Sequence, residues 1–98
     1  MRDAILDSEK ITLFQFADYA GAGFRRGVGE YTYSDLSGEF IQANSLMVPF
    51  DFKVTLFTND NLDTSDPNDY VVFTATTADL NNINIRSLKV EYLNTTAV

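Results

Sequence analysis

The chain has 98 residues with no cysteine and no histidine, enough for one domain with a modest core, and it has no means of forming a disulfide, a thiolate nucleophile, a cysteine–zinc site or a Ser-His-Asp arrangement. Fourteen acids against seven bases leave a formal net charge of −7, which speaks against nucleic acid as a partner, because phosphate binding needs a basic surface. A hydrophobic fraction of 45%, with 13% aromatics, marks a folded chain, and no apolar run approaches the ~20 residues of a membrane helix.

Residues 1–10, MRDAILDSEK, read as a charged N-terminal extension. Residues 11–15 alternate apolar and polar, the pattern of a half-buried strand. Residues 16–23 carry Asp18 and two glycines, a turn composition. A second strand is predicted over 24–28, with Arg25 and Arg26 solvated. After a turn at Gly29, a third runs over 30–34 and sets Tyr31 and Tyr33 on one face. A fourth spans 45–48, and Pro49 closes the unit because proline cannot donate to a sheet ladder. A second unit follows with strands at 53–57, 70–74, 76–80 and 85–92, an acidic loop at 58–69 and a tail at 94–98.

The two units resemble each other. Ile11-Thr12-Leu13-Phe14 recurs as Val54-Thr55-Leu56-Phe57 at an offset of 43, and Asp35-Leu36 recurs as Asp79-Leu80 at 44. Ser45-Leu46-x-Val48 recurs as Ser87-Leu88-x-Val90 at 42. Each unit alone leaves an apolar face uncovered, so two units stacked face to face as a sandwich are expected.

In the first unit, Phe14, four residues, Tyr19, one residue and Gly21 form a spaced set in the opening hairpin. With Gly29-Glu30-Tyr31, the two Asp-Leu pairs and the two Ser-Leu-x-Val strands, the chain resembles a βγ-crystallin domain over residues 11–93. The resemblance implies an all-β sandwich of two four-stranded Greek-key motifs, motif A over 11–49 and motif B over 53–92. In motif B, Phe57, Leu62 and Thr64 stand where aromatic, aromatic and glycine are expected, so its acidic loop is expected to be irregular. The aromatics of such a hairpin stack back over the sheet, and glycine permits the bend.

The resemblance also brings calcium into view. Many microbial members of that family bind two calcium ions through one motif per unit: two Asn/Asp residues, two variable residues, Ser/Thr, then Ser. Each ion lies between the units, held by side chains of one, the hydroxyl of the other and backbone carbonyls, an all-oxygen set suited to a hard cation. Here the first motif reads Phe40, Ile41, Gln42, Ala43, Asn44, Ser45, and the second Asn82, Ile83, Asn84, Ile85, Arg86, Ser87. The site combining Phe40, Ile41 and Arg86 is expected to be dead, because a guanidinium repels a dication and offers no lone pair. The site combining Asn44, Asn82 (or Asn81, with a one-residue bulge) and Asn84 is expected to hold at most one calcium, weakly. Asp35, Glu39 and Asp79 are near enough in sequence to be considered as further ligands.

Asp60, Asp63, Asp66 and Asp69 recur at intervals of three, but Ser65 and Val71 stand where an EF-hand needs glycine and glutamate, so a solvated loop is expected. The residues show no catalytic apparatus, and the resemblance implies a non-enzymatic module, structural or weakly calcium-binding. The resemblance implies that it is part of a microbial protein and secreted. The alternatives on the same fold are a protease-inhibitor-like or toxin-like module and a carbohydrate-binding module, the last with Tyr31, Tyr33, Tyr70 and Tyr92 as candidate platform residues.

Overall fold

The computed structural model describes residues 10–39 and 42–93. Residues 1–9 of the expected 1–10 extension, the tail over 94–98, and Phe40 and Ile41 lie outside the described residues. Nine strands are described: β1 (Ile11–Phe16), β2 (Ala20–Arg26), β3 (Gly29–Tyr31), β4 (Gln42–Ala43), β5 (Ser45–Met47), β6 (Phe52–Phe57), β7 (Tyr70–Phe73), β8 (Ile83–Asn84) and β9 (Ser87–Tyr92). Single 3₁₀ turns at Ala17–Tyr19, Ser34–Leu36 and Pro67–Asp69 are the helical elements described.

The sheets are antiparallel, in the orders β2-β1-β5 and β3-β9-β6-β7, with a two-stranded ribbon of β4 and β8 beside them. The four-stranded sheet takes strands from both units, whereas β2, β1 and β5 all come from motif A. β3 of motif A pairs with β9 of motif B, and Thr77 of motif B forms a bridge with Leu46 of motif A. The units are therefore joined by exchange of their third segments, one as the strand β3 and the other as the single Thr77 bridge, and the whole is the expected all-β Greek-key sandwich. Period two explains the core: Ile11 and Leu13 of β1, Leu46 of β5, Val54 and Leu56 of β6 and Leu88 and Val90 of β9 turn inward and are buried. Each such leucine or valine contributes ~1.5–3 kcal/mol of transfer free energy. The repeated Asp-Leu pairs have the same use in both units. Leu36 and Leu80 enter the core, while Asp35 accepts from Thr32 N and Asp79 from Asn81 N, closing the turn beside each leucine.

Several boundaries differ from those expected. The 16–23 turn contracts to Ala17–Tyr19, and β2 begins at Ala20. Gly21 and Gly23 serve close ring packing rather than a long loop: a Cβ at Gly21 lies 2.5 Å from the Phe16 ring, and one at Gly23 lies 3.1 Å from the Phe14 ring. The third strand stops at Tyr31, because Tyr33 takes helical backbone (φ −55, ψ −40) ahead of the 3₁₀ turn, so Tyr31 and Tyr33 do not share a sheet face. The strand expected over 76–80 is reduced to the Thr77 bridge. The strand expected over 85–92 begins only at Ser87, as β9, and is preceded by a separate short strand, β8, at Ile83–Asn84. Arg26 is not solvated: its Nη2 lies 2.9 Å from Glu39 Oε2, and its guanidinium lies over the Phe24 and Tyr31 rings.

Candidate metal centre

The β4–β8 ribbon sets Gln42 opposite Asn84 and Ala43 opposite Ile83, so the two calcium-motif segments lie side by side. Each leads into a buried serine. Ser45 Oγ donates to Phe16 O at 2.7 Å and accepts from Tyr19 N at 2.9 Å. Ser87 Oγ donates to Asn59 O at 2.6 Å and accepts from Leu62 N at 3.1 Å. The two serines thus fasten the folded hairpins of the two units in the same way. Tyr19 (φ 63) and Leu62 (φ 55) both take left-handed backbone at the hinge, so motif B keeps its hairpin hinge with leucine in the aromatic position. Its connection between paired strands is four residues longer, since Thr12 pairs with Arg25 and Thr55 with Val72. In motif A, Phe14 and Tyr19 meet edge to face at 5.8 Å.

The residue before each serine occupies the hydroxyl position of the motif, and both backbones are held alike: Asn44 N donates to Phe14 O, and Arg86 N donates to Phe57 O. The side chains diverge. Asn44 Nδ2 donates to Gln15 O at 2.9 Å and to Asn82 Oδ1 at 3.2 Å. A carbonyl can only accept, so this contact fixes which end of the Asn44 amide points inward. The amide NH₂ stands between two oxygens of the kind that a cation would use. Asn82 (φ 62) and Asn81 (φ 60) both sit in the left-handed region that asparagine tolerates, and both are exposed; Asn84 is exposed on β8. Of the four candidate ligands, the structure therefore joins Asn44 and Asn82 by a hydrogen bond, sets Asn81 beside them in sequence and holds Asn84 on the ribbon. The residues fit calcium there only in part. Asn44 must turn its amide over to present Oδ1, which gives up two hydrogen bonds at a cost of about 0.5–1.5 kcal/mol each.

At the other end, Arg86 forms an ion pair with Asp60 through Nε and lies over the Tyr33 ring at 4.2 Å from its centroid. Asp60 also accepts from Tyr33 N through its carbonyl, so one residue of the acidic loop joins both partners. The hydrogen bond from Arg86 holds the Asp60 carboxyl below the usual carboxylate range, and the same bond raises Arg86 further. These residues do not fit a cation. The inward charge is already a guanidinium, and the carboxylate beside it is committed to that guanidinium.

The other acids considered have local partners. Asp35 and Asp79 close turns, and Glu39 pairs with Arg26. Asp63 is held below the usual carboxylate range by the Ser65 N–H, and Asp66 caps the Pro67–Asp69 turn through Asn68 N. Among the described residues, no three acids come together to hold a metal ion. The four tyrosines considered as a platform are also engaged separately. Tyr31 donates to Gly27 O, Tyr33 lies under Arg86, Tyr70 packs on Phe57 and Tyr92 on Phe52. Sequence reasoning missed the place of Asp60 because it was counted only as one acid of a loop. Its position three residues after Phe57, within the hinge that matches 16–19, is the signal that finds it.

No family model matches the chain, and no curated protein matches it. Solved structures do. The N-terminal domain of protein S superimposes with a TM-score of 0.76 at 26% identity, covering 88% of this chain and 99% of that one. A betagamma-crystallin domain from Clostridium beijerinckii superimposes with a TM-score of 0.74 at 25% identity, covering 87% and 99%. A betagamma-crystallin domain from Flavobacterium johnsoniae gives 0.75 at 22% identity, covering 88% and 98%.

Proposed function

We propose that this chain, which belongs to the βγ-crystallin superfamily, is a non-enzymatic structural module whose two inter-motif positions are closed by its own side chains, so that it folds without calcium. The observation that carries this reading is the parallel between Asn44 and Arg86. At matching places, the amide of one reaches across to Asn82 of motif B, and the guanidinium of the other, paired with Asp60 of its own unit, lies over the ring of Tyr33 of motif A. The Asn44–Asn82 and Arg86–Tyr33 contacts each link the two units, as a bound ion would. Calcium takes about six to eight oxygens, and affinity rises with the carboxylates supplied. The Asn44 end offers amides and carbonyls only, so one weak calcium, held by Asn44, Asn82, Asn84 and the neighbouring Asn81, is the most that this reading allows.

Calorimetric titration with calcium tests it. One ion or none is expected, with a dissociation constant weaker than about 10⁻⁴ M, the range of weak sites. Arg86→Ser alone is expected to leave the stoichiometry unchanged, because Phe40 and Ile41 supply no carboxylate to that end. Two ions bound with micromolar affinity by the unaltered chain overturn the reading.

A further inference from the structure

Four strand edges bound the two large sheets, and three of them are blunted. β2 carries Arg25 and Arg26. The outer edge of β5 is taken by the Thr77 bridge and by Thr76 Oγ1, which accepts from Val48 N at 2.9 Å. β3 is three residues long and includes Glu30. Charge, cover and shortness are the usual means by which a sheet avoids pairing with another chain. Among the described residues, β7 has neither charge nor cover. Tyr70-Val71-Val72-Phe73 contains no proline either, and it pairs with β6 without a bulge. Val71 and Val72 are 45% and 46% exposed. The repeat makes the contrast specific: Val72 lies opposite Thr55 as Arg25 lies opposite Thr12, and Phe73 lies opposite Val54 as Arg26 lies opposite Ile11.

Alternation along β6 fixes what this edge offers. Thr58 N donates to Asp69 O on the β7 side, and Phe57 O accepts from Arg86 N on the β9 side. The N–H and C=O groups of Val71 and Phe73 therefore face β6, and those of Tyr70 and Val72 face outward. Among the described residues, no other group bonds to these outward ones. The described residues start at Lys10, before β1 of the other sheet, and end at Leu93, beyond β9, which lies across β6 from β7.

We propose that β7 pairs with β7 of a second copy of this chain, antiparallel about a two-fold axis at Val72, so that the two four-stranded sheets run on as one. In this register the outward groups of Val72 meet those of the partner's Val72, and those of Tyr70 meet those of the partner's Thr74. Val71 comes opposite the partner's Phe73 on the core side, an apolar pair that the symmetry makes twice. Phe73 already packs against the core, so the pairing extends it. No like charges come opposite one another. Antiparallel pairing sets the acidic loop over 58–69 of each copy beside the uncharged segment 74–76 of the other, whereas parallel pairing sets loop beside loop. The edge is thus its own complement, which favours a second copy over a foreign strand. The assembly also closes: the outermost strands of the joined sheet are the two copies of β3, short and charged, so growth stops at two.

Sedimentation equilibrium in EDTA tests this, at chain concentrations from about 10 μM to about 1 mM, which bracket a dissociation constant of about 10⁻⁴ M for an interface below standard size. The mass is expected to rise from 11.0 kDa towards twice that value. Two chains of net charge −7 repel, so the dimer is expected to strengthen as sodium chloride rises from about 0.05 M to about 0.5 M. Val72→Lys gives β7 a cation where β2 has one, and is expected to weaken the dimer about tenfold, through the lost valine pair and two like charges set opposite. Val28→Lys, the same charge change at an exposed valine between β2 and β3, is expected to leave the dimer no weaker. In ¹⁵N spectra of the unaltered chain, the amides of Tyr70 and Val72 are expected to shift with concentration. A monomer at every concentration and salt, as an edge reserved for a foreign strand or covered by the chain itself would give, overturns the proposal. So do unmoved amides at Tyr70 and Val72 in a dimer, or a Val72→Lys dimer no weaker than that of Val28→Lys.

Discussion

Ser45 and Ser87 are the most economical residues in the chain. Each is fully buried, and each satisfies one donor and one acceptor of a hairpin hinge. Ser87→Ala is expected to leave Leu62 N and Asn59 O without that partner and to cost ~1–3 kcal/mol, read as a lower urea midpoint. An unchanged midpoint would show that the hinge does not depend on the hydroxyl. Gly21 has φ +81 with the Phe16 ring where a β-carbon would stand, so Gly21→Val meets both backbone strain and a clash. A loss of more than ~1 kcal/mol is expected in the same assay. Gly21 was legible in the sequence, because its spacing from Phe14 and Tyr19 marks a bend. The hydrogen bonds of the two serines were not, because they join residues 25 to 29 positions apart, where local periodicity carries no information. The same holds for Asn44 and Asn82. Both were named as ligands from the motif, but only their placement shows that the amide of one already occupies the oxygen of the other.

At the scale of elements, the acidic hairpin of motif B carries a specific electrostatic contact. The carboxyl of Asp60 is lowered below its ordinary value, chiefly by the hydrogen bond from Arg86. A group with a lowered folded pKa contributes its stability above the unfolded value, about 3.9 for aspartate, and loses it as pH falls through the folded value. The stability difference between parent and Asp60→Asn is therefore expected to be constant from neutral pH down to about pH 4 and to shrink below it. Denaturant midpoints measured across that range check this. A difference that grows on acidification has the wrong sign and removes Asp60 as the cause. The pair is solvent-exposed in part, so its size is modest, as for surface ion pairs generally. The strands themselves were largely legible from alternation and from the Ser-Leu-x-Val repeat. The ends of the third strands were not. Tyr33 is turned out of the sheet by a 3₁₀ turn, and residues near Thr77 keep only one bridge, because both segments cross between sheets and pair with the other unit.

For the whole molecule, exchange of the third segments joins the two units, and the Asn44–Asn82 and Arg86–Tyr33 contacts cross between them. The repeat offsets in the sequence disclosed two related units; they did not disclose the exchange, which is a property of pairing and not of either unit alone. Stability as a function of calcium tests the central claim most directly, because a ligand that binds only the folded chain stabilises it by RT ln(1 + [L]/Kd). Urea unfolding is to be compared in EDTA and in 10 mM calcium chloride. No site gives no gain, and one site with a dissociation constant near 1 mM gives about 1.4 kcal/mol. A gain of about 11 kcal/mol, the value for two micromolar sites, or failure to fold in EDTA, would contradict a module closed by its own side chains.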